Sequence, residues 1–229
     1  MSIFVVVPVL AGTFILLYWY QHWHAEQQRR YITTYFFPKG LLDKLGEHYP
    51  HLTDSQRNQV GRGLKQFFFA QEKNGRMVSM PSVAADALWH EFILYTKAYD
   101  VFCGHAFGRF LHHTPAVVLE SRHRSSDGLR RMWVSACKQE GIDVRSPARL
   151  PLILALDANL AIAGGFVYQP DCRMVDQSAS GSAIHCGAEL GTPLADSGSG
   201  GDGSGNSDSV GGDSGGDGGG GDGGGCGGD

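Results

Sequence analysis

The sequence predicts a mainly α-helical protein with one N-terminal transmembrane helix, a small helical globular domain and a disordered Gly/Asp-rich C-terminal tail. Three observations carry that expectation. An uncharged apolar stretch opens the chain, apolar residues recur at helical spacing through its middle, and only Val210 and Cys226 interrupt the Gly, Ser, Asn and Asp of its end. The expected divisions are 1–23 for the anchor, 24–195 for the domain and 196–229 for the tail.

The anchor comes first. Residues 2–20, SIFVVVPVLAGTFILLYWY, carry no charge, and at about 1.5 Å per residue such a run covers about 28 Å, the thickness of a hydrocarbon core. Tyr18, Trp19, Tyr20 and Trp23 form an aromatic belt, followed by His22, His24, Arg29 and Arg30. A cleaved signal peptide needs a basic start and a small-residue cleavage site, and neither is present. With the Lys and Arg on the C-terminal side, the positive-inside tendency puts the globular domain in the cytoplasm. Five Cys at irregular spacing (103, 137, 172, 186, 226) read as reduced thiols rather than as a disulfide framework.

Residues 41–48 predict a short helix that stops before Tyr49-Pro50. Thr53-Asp54-Ser55-Gln56 has the form of a capping box, and Val60, Leu64, Phe67 and Phe68 then give a helix over 54–73 one buried face, with Gly61 and Gly63 weakening it locally. The strongest segment is 80–115, MPSVAADALWHEFILYTKAYDVFCGHAFGRFLHHTP. On one continuous helix, at about 100° per residue, Asp86, His90, Lys97, Asp100 and Gly104 line a narrow polar seam, while Trp89 falls on the apolar arc. Another helix over 127–140 ends at Gly141, a further one is entered through proline over 147–160, and 161–168 reads as a turn with one short strand.

Charge excludes one class of partner. The chain has a net charge of -4, and the seven Asp from Asp196 onward, unaccompanied by Lys or Arg, leave residues 1–195 at +3. A nucleic-acid surface is far more basic and clustered, so no nucleic-acid partner is expected. The tail buries nothing apolar and is expected to stay a flexible coil. Its Gly/Asp pattern lacks the large apolar residue that each turn of a calcium-binding β-roll needs.

Ten His and five Cys invite a metal reading. One group is His90, Cys103, His105, His112 and His113; the other is Cys172, His185 and Cys186. On one straight helix His90 and Cys103 lie about 20 Å apart and about 140° around from each other, and cannot share an ion unless the helix breaks. His112 and His113 can return to His90 if the chain reverses at Gly104 or Gly108, and the candidate metal ligands are therefore His90, His112 and His113. The competing reading hydrogen-bonds His90 to Asp86 one turn earlier and places His112 and His113 at the carbonyls of a helix end before Pro115. The second group lacks the paired ligand spacing of a zinc site. GxGxxG, P-loop and GxSxG motifs are absent, and WHEF lacks the second His of a zincin helix.

In DALWHEFILYT and FCGHAFGRFLHHTP, with Asp86, Trp89, His90, Tyr99, Cys103, Gly108, His112, His113 and Pro115, the sequence resembles bacterial members of the glycine-rich domain-containing protein family. The resemblance runs from about residue 35 to 172. Related sequences carry a second His where this chain has Phe92, which removes one candidate ligand. The family supplies no agreed molecular function, so the resemblance implies architecture and not activity.

Two functions follow as expectations. One is a non-catalytic binding or interaction module held at a membrane through its N-terminal helix, with a protein partner. The other is a metal- or His-dependent enzyme centred on the Asp86–His90 helix and the His112–His113 pair. The position of the His112 and His113 rings relative to His90 discriminates between them.

Overall fold

The structure is a computed structural model, and it describes residues 3–75, 77–113, 122–170 and 185–191. Side chains are described over the same stretches except residues 3–9, 122–126, 185, 188 and 189. The tail from residue 192 onward lies outside the described residues.

The chain is mainly helical. Among the described residues eight helices follow in order: α1 Ile3–Thr34, α2 Leu41–His48, α3 Asp54–Asn74, α4 Val83–Leu94, α5 Thr96–Phe107, α6 Arg122–Glu140, α7 Leu152–Asn159 and α8 Gly187–Gly191. Between α7 and α8, β1 Tyr168–Gln169 pairs in parallel with β2 His185–Cys186. The expected single strand is thus half of a two-residue parallel pair.

At the middle stands α3. Thr53 Oγ1 accepts from the Gln56 amide while the Gln56 side chain accepts from the Thr53 amide, the reciprocal capping box expected from the sequence. Its buried face, with Val60, Leu64, Phe67 and Phe68, packs against α1, α2, α4, α6 and α7. Gly63 has a positional reason there, since a Cβ would lie 2.5 Å from Leu156 Cδ1. The weak helix former is what lets α7 approach.

Two expected elements shift at their starts. α7 begins after Pro151 rather than at Pro147, because the residue before a proline is driven out of the helical region. α6 begins at Arg122, five residues before Asp127, and ends as expected at Gly141 with φ 66°.

The first helix does not stop at residue 23. It continues to Thr34, and its last turns belong to the body: Ile32 is buried, Tyr31 stacks on His105 at 5.1 Å, and Arg29 Nε donates to Glu72 Oε2 at 2.6 Å. Earlier in the same helix Leu10, Phe14, Ile15, Leu16, Leu17, Tyr18, Trp19, Tyr20 and Trp23 are all exposed. Among the described residues, no helix is long and apolar enough to cross a membrane.

Candidate metal centre

The site is built from the start of α4. Ser82 caps it, its Oγ accepting from the Ala85 amide at 3.1 Å and donating to Asp157 Oδ1 at 2.6 Å. Asp157 is buried, yet its carboxylate also accepts from the amides of Val83 (2.7 Å), Ala84 (3.2 Å) and Phe166 (3.0 Å). An anion among helix N-terminal amides is favoured by both hydrogen bonding and the helix dipole. The network fixes the first turn of α4, and with it Asp86; His90 follows one turn later on the same face.

The single helix expected over this segment breaks. Tyr95 leaves helical geometry at φ -78°, ψ 56°, and α5 starts afresh at Thr96. The break brings Tyr99, Phe102 and Cys103 into the core, with Phe102 packed on Phe68 at 5.0 Å and on Phe92 at 5.4 Å. Lys97, Asp100 and Gly104 stay exposed, as the polar seam requires. Gly108 ends α5 at φ 67°, a left-handed conformation that suits glycine, and the chain turns back.

Tyr99 then holds the returning segment. Its hydroxyl accepts from Trp89 Nε1 at 3.0 Å and donates to the Leu111 carbonyl at 2.6 Å. One buried phenol thereby ties α4, α5 and the 109–113 segment together, and burial raises its pKa well above the usual tyrosine range. Two residues past Leu111, His113 reaches back over α4.

There His113 Nε2 lies 2.9 Å from Asp86 Oδ1, and His90 Nδ1 lies 3.5 Å from Asp86 Oδ2. The His90 and His113 rings are 4.2 Å apart, and the His113 ring also meets Trp89 at 4.4 Å, edge to face. One ligand atom from each of Asp86, His90 and His113 lies within 4.8 Å of the others. Side-chain exposure rises from 12% at His113 through 33% at Asp86 to 53% at His90, so the cluster has a protein side and a solvent side. Two imidazoles and a carboxylate suit a first-row divalent ion such as zinc or ferrous iron, and three protein ligands leave a position for water or substrate.

Of the three expected ligands, the fold brings His90 and His113 together and leaves His112 out. His112 is exposed with its ring against Phe110 at 4.9 Å, because consecutive residues of an extended segment point to opposite sides. Asp86, expected beside His90 but not among the metal ligands, takes the third place. His113 meets that carboxylate rather than the carbonyls of a helix end. Cys103 is buried in α5, with a thiol that burial pushes up, and lies outside the cluster. In the second group Cys172 and the His185 side chain lie outside the described residues. Cys186 is disulfide-bonded, which corrects the expectation of reduced thiols throughout and removes it as a metal ligand.

The links that position the site were not apparent from the sequence. Tyr99 had a place in the family pattern but no role, and the signal for Asp157 was a lone carboxylate inside the apolar run LPLILALDANL.

A family model described as UCP032817-like matches residues 27–190. The chain belongs to the UCP032817-like family. The matched span runs from the last turns of α1 into α8, so it takes in Asp86, His90 and His113 together with Tyr99 and Asp157. No curated protein and no solved structure matches the chain.

Proposed function

We propose that this UCP032817-like protein is a metal-binding domain held at a membrane, with Asp86, His90 and His113 ligating one divalent zinc or iron ion. The observation that carries the reading is the return of His113 onto Asp86 beside His90, through a turn at Gly108 and a hydrogen bond from Tyr99 to Leu111. The bound ion would act as a Lewis acid on water or substrate at the solvent side, where His90 is half exposed. Metal analysis of the full chain in detergent tests it. The expected result is one ion per chain, retained by His112→Ala and lost by Asp86→Ala and His113→Ala. Metal-free protein after reconstitution with zinc and with ferrous iron overturns it.

A non-catalytic interaction module is the second reading, favoured by Leu94, Val101 and Phe110, which stand exposed at the end of α4, on α5 and in the segment after it. Kinship with glycine-rich domain-containing proteins is proposed on the Asp86-to-Pro115 pattern and the Gly-rich tail.

The anchor is proposed on the uncharged run of residues 2–20 and on the exposed apolar side chains from Leu10 to Trp23, which lipid would cover. A cytoplasmic body is proposed on Arg29 and Arg30. The disulfide at Cys186 pulls the other way, since such bonds persist in oxidising compartments. A reporter fused after Asp229 is expected to be active in the cytoplasm; activity only outside reverses the orientation. Release of the chain from membranes by carbonate overturns the anchor itself.

A further inference from the structure

On the other side of α3 lies an open cleft of about 1010 Å³, roofed by the α6–α7 turn and lined by Arg62, Lys65, Gln66, Glu140, Arg149 and Leu152 among others. That volume suits a small-molecule ligand. Arg62, Lys65 and Gln66 stand at i, i+3 and i+4 of α3, on one helix face.

The charges of the cleft do not cancel. Its single carboxylate among the described residues, Glu140, is already engaged: Oε1 accepts from Gln66 Nε2 at 2.9 Å and from the Leu152 amide at 2.6 Å, and Oε2 pairs with Arg149 Nη1. Burial pulls the Glu140 carboxyl up, but these donors outweigh it and hold its pKa below the usual value. The Gln66 carbonyl is taken by the Ile153 amide at 3.0 Å. This part of the cleft is complete in itself.

The cations across from it are not. Arg62 has no carboxylate in ion-pair reach among the described residues. Lys65 is part-buried; its ammonium lies 3.4 Å from the Thr33 carbonyl and 5.6 Å from the centre of the Phe37 ring, and meets no acid. Burial lowers its pKa, the mark of an ammonium short of a counter-charge. Arg149 gives only Nη1 to Glu140 and to the Leu150 carbonyl, leaving Nε and Nη2 for another acceptor. Three cations therefore face one saturated carboxylate, beside an apolar floor of Leu150, Leu152 and Ala155.

We propose that this cleft binds a dianionic phosphate monoester carrying an apolar body, with Arg62, Lys65 and Arg149 on the phosphate and the leucines along the body. An arginine fork matches phosphate oxygens in pairs, and a dianion balances the two uncompensated charges. The phosphate can belong to a soluble metabolite or to a lipid headgroup; the chemistry recognised is the same.

The test uses the full chain in neutral detergent, with hexyl phosphate as the soluble probe and micellar phosphatidic acid as the lipid-borne one. Hexanol and phosphatidylcholine serve as controls, and binding is read by calorimetric titration. The expected result is saturable one-to-one binding of at least one phosphate probe, weakened tenfold or more by Arg62→Ala and by Lys65→Met, and unchanged by Lys97→Ala on α5. Lys65→Met keeps the apolar stem, so loss of binding is not loss of fold. Binding of phosphatidic acid alone assigns the ligand to the lipid, and of hexyl phosphate alone to a soluble metabolite. No binding of either probe, or equal binding by wild type, Arg62→Ala and Lys65→Met, overturns the proposal. Asp86→Ala is expected to bind the probe normally, which keeps this outcome independent of the metal reading.

Discussion

Asp157 and Asp86 both carry a carboxylate to the same end of α4, and their surroundings could hardly differ more. Asp157 is buried and accepts from one hydroxyl and three backbone amides, with no lone pair turned to solvent. Asp86 is a third exposed and meets two imidazoles, His113 by a hydrogen bond and His90 by an ion-pair contact, and either can exchange that contact for a metal bond. A carboxylate saturated by backbone donors holds a fold together. One facing other ligand side chains, with an open flank, is free to take a ligand. The comparison separates structure from function within one helix turn.

Removing Asp157 should have the largest effect. Asp157→Ala strands the donors of Ser82, Val83, Ala84 and Phe166, and is expected to cost about 3 to 5 kcal/mol, the range for stripping one partner from a buried charged network. Denaturant unfolding measures it, and a loss under about 1 kcal/mol would erase the distinction between the two aspartates. Trp89→Ala falls in the same range, about 3 to 5 kcal/mol for a large core aromatic, and also removes the donor to Tyr99 that helps hold the 109–113 segment. Its metal content should fall with its stability.

Glu140 gives a pH test of the saturated kind of carboxylate. Its folded pKa is depressed, so its contribution is fully present above the ordinary glutamate value, about 4.3, and is lost as pH falls through the lower folded value. The stability of wild type should therefore drop more steeply below about pH 4.3 than that of Glu140→Gln. Parallel curves for the two proteins would mean that its donors do not act as drawn.

The ligand side of the comparison should barely register in stability. Asp86→Ala and His90→Ala are expected to cost less than about 1 kcal/mol, since the first loses a part-exposed hydrogen bond and the second a part-exposed ion-pair contact, while the metal is lost. If His90→Ala unfolds the protein, the site is structural after all. Smallest of all should be the thiol chemistry: Cys103 and Cys137 are buried, with the Cys137 thiol pushed up to about 12 by burial first and the nearby Glu140 and Asp143 carboxylates second. Neither should react with an alkylating reagent at pH 7 until the chain unfolds.

By itself the sequence determined the local features. The span of α2, the capping box at Thr53, the Gly141 stop, the buried Trp89 and the exposed His90 all rest on neighbours within four residues, which periodicity and capping chemistry report directly. The tertiary structure decided the rest. The break at Tyr95 carries no proline or glycine to announce it; it lies where Phe102 must turn onto Phe68 and Phe92, a demand made by residues on another helix. Whether His112 or His113 joined Asp86 depended on the side from which the returning segment crosses α4, which the Tyr99 hydroxyl fixes through Leu111. Asp157 met the start of α4 across more than seventy residues of chain, a distance at which composition and spacing are silent and only packing speaks.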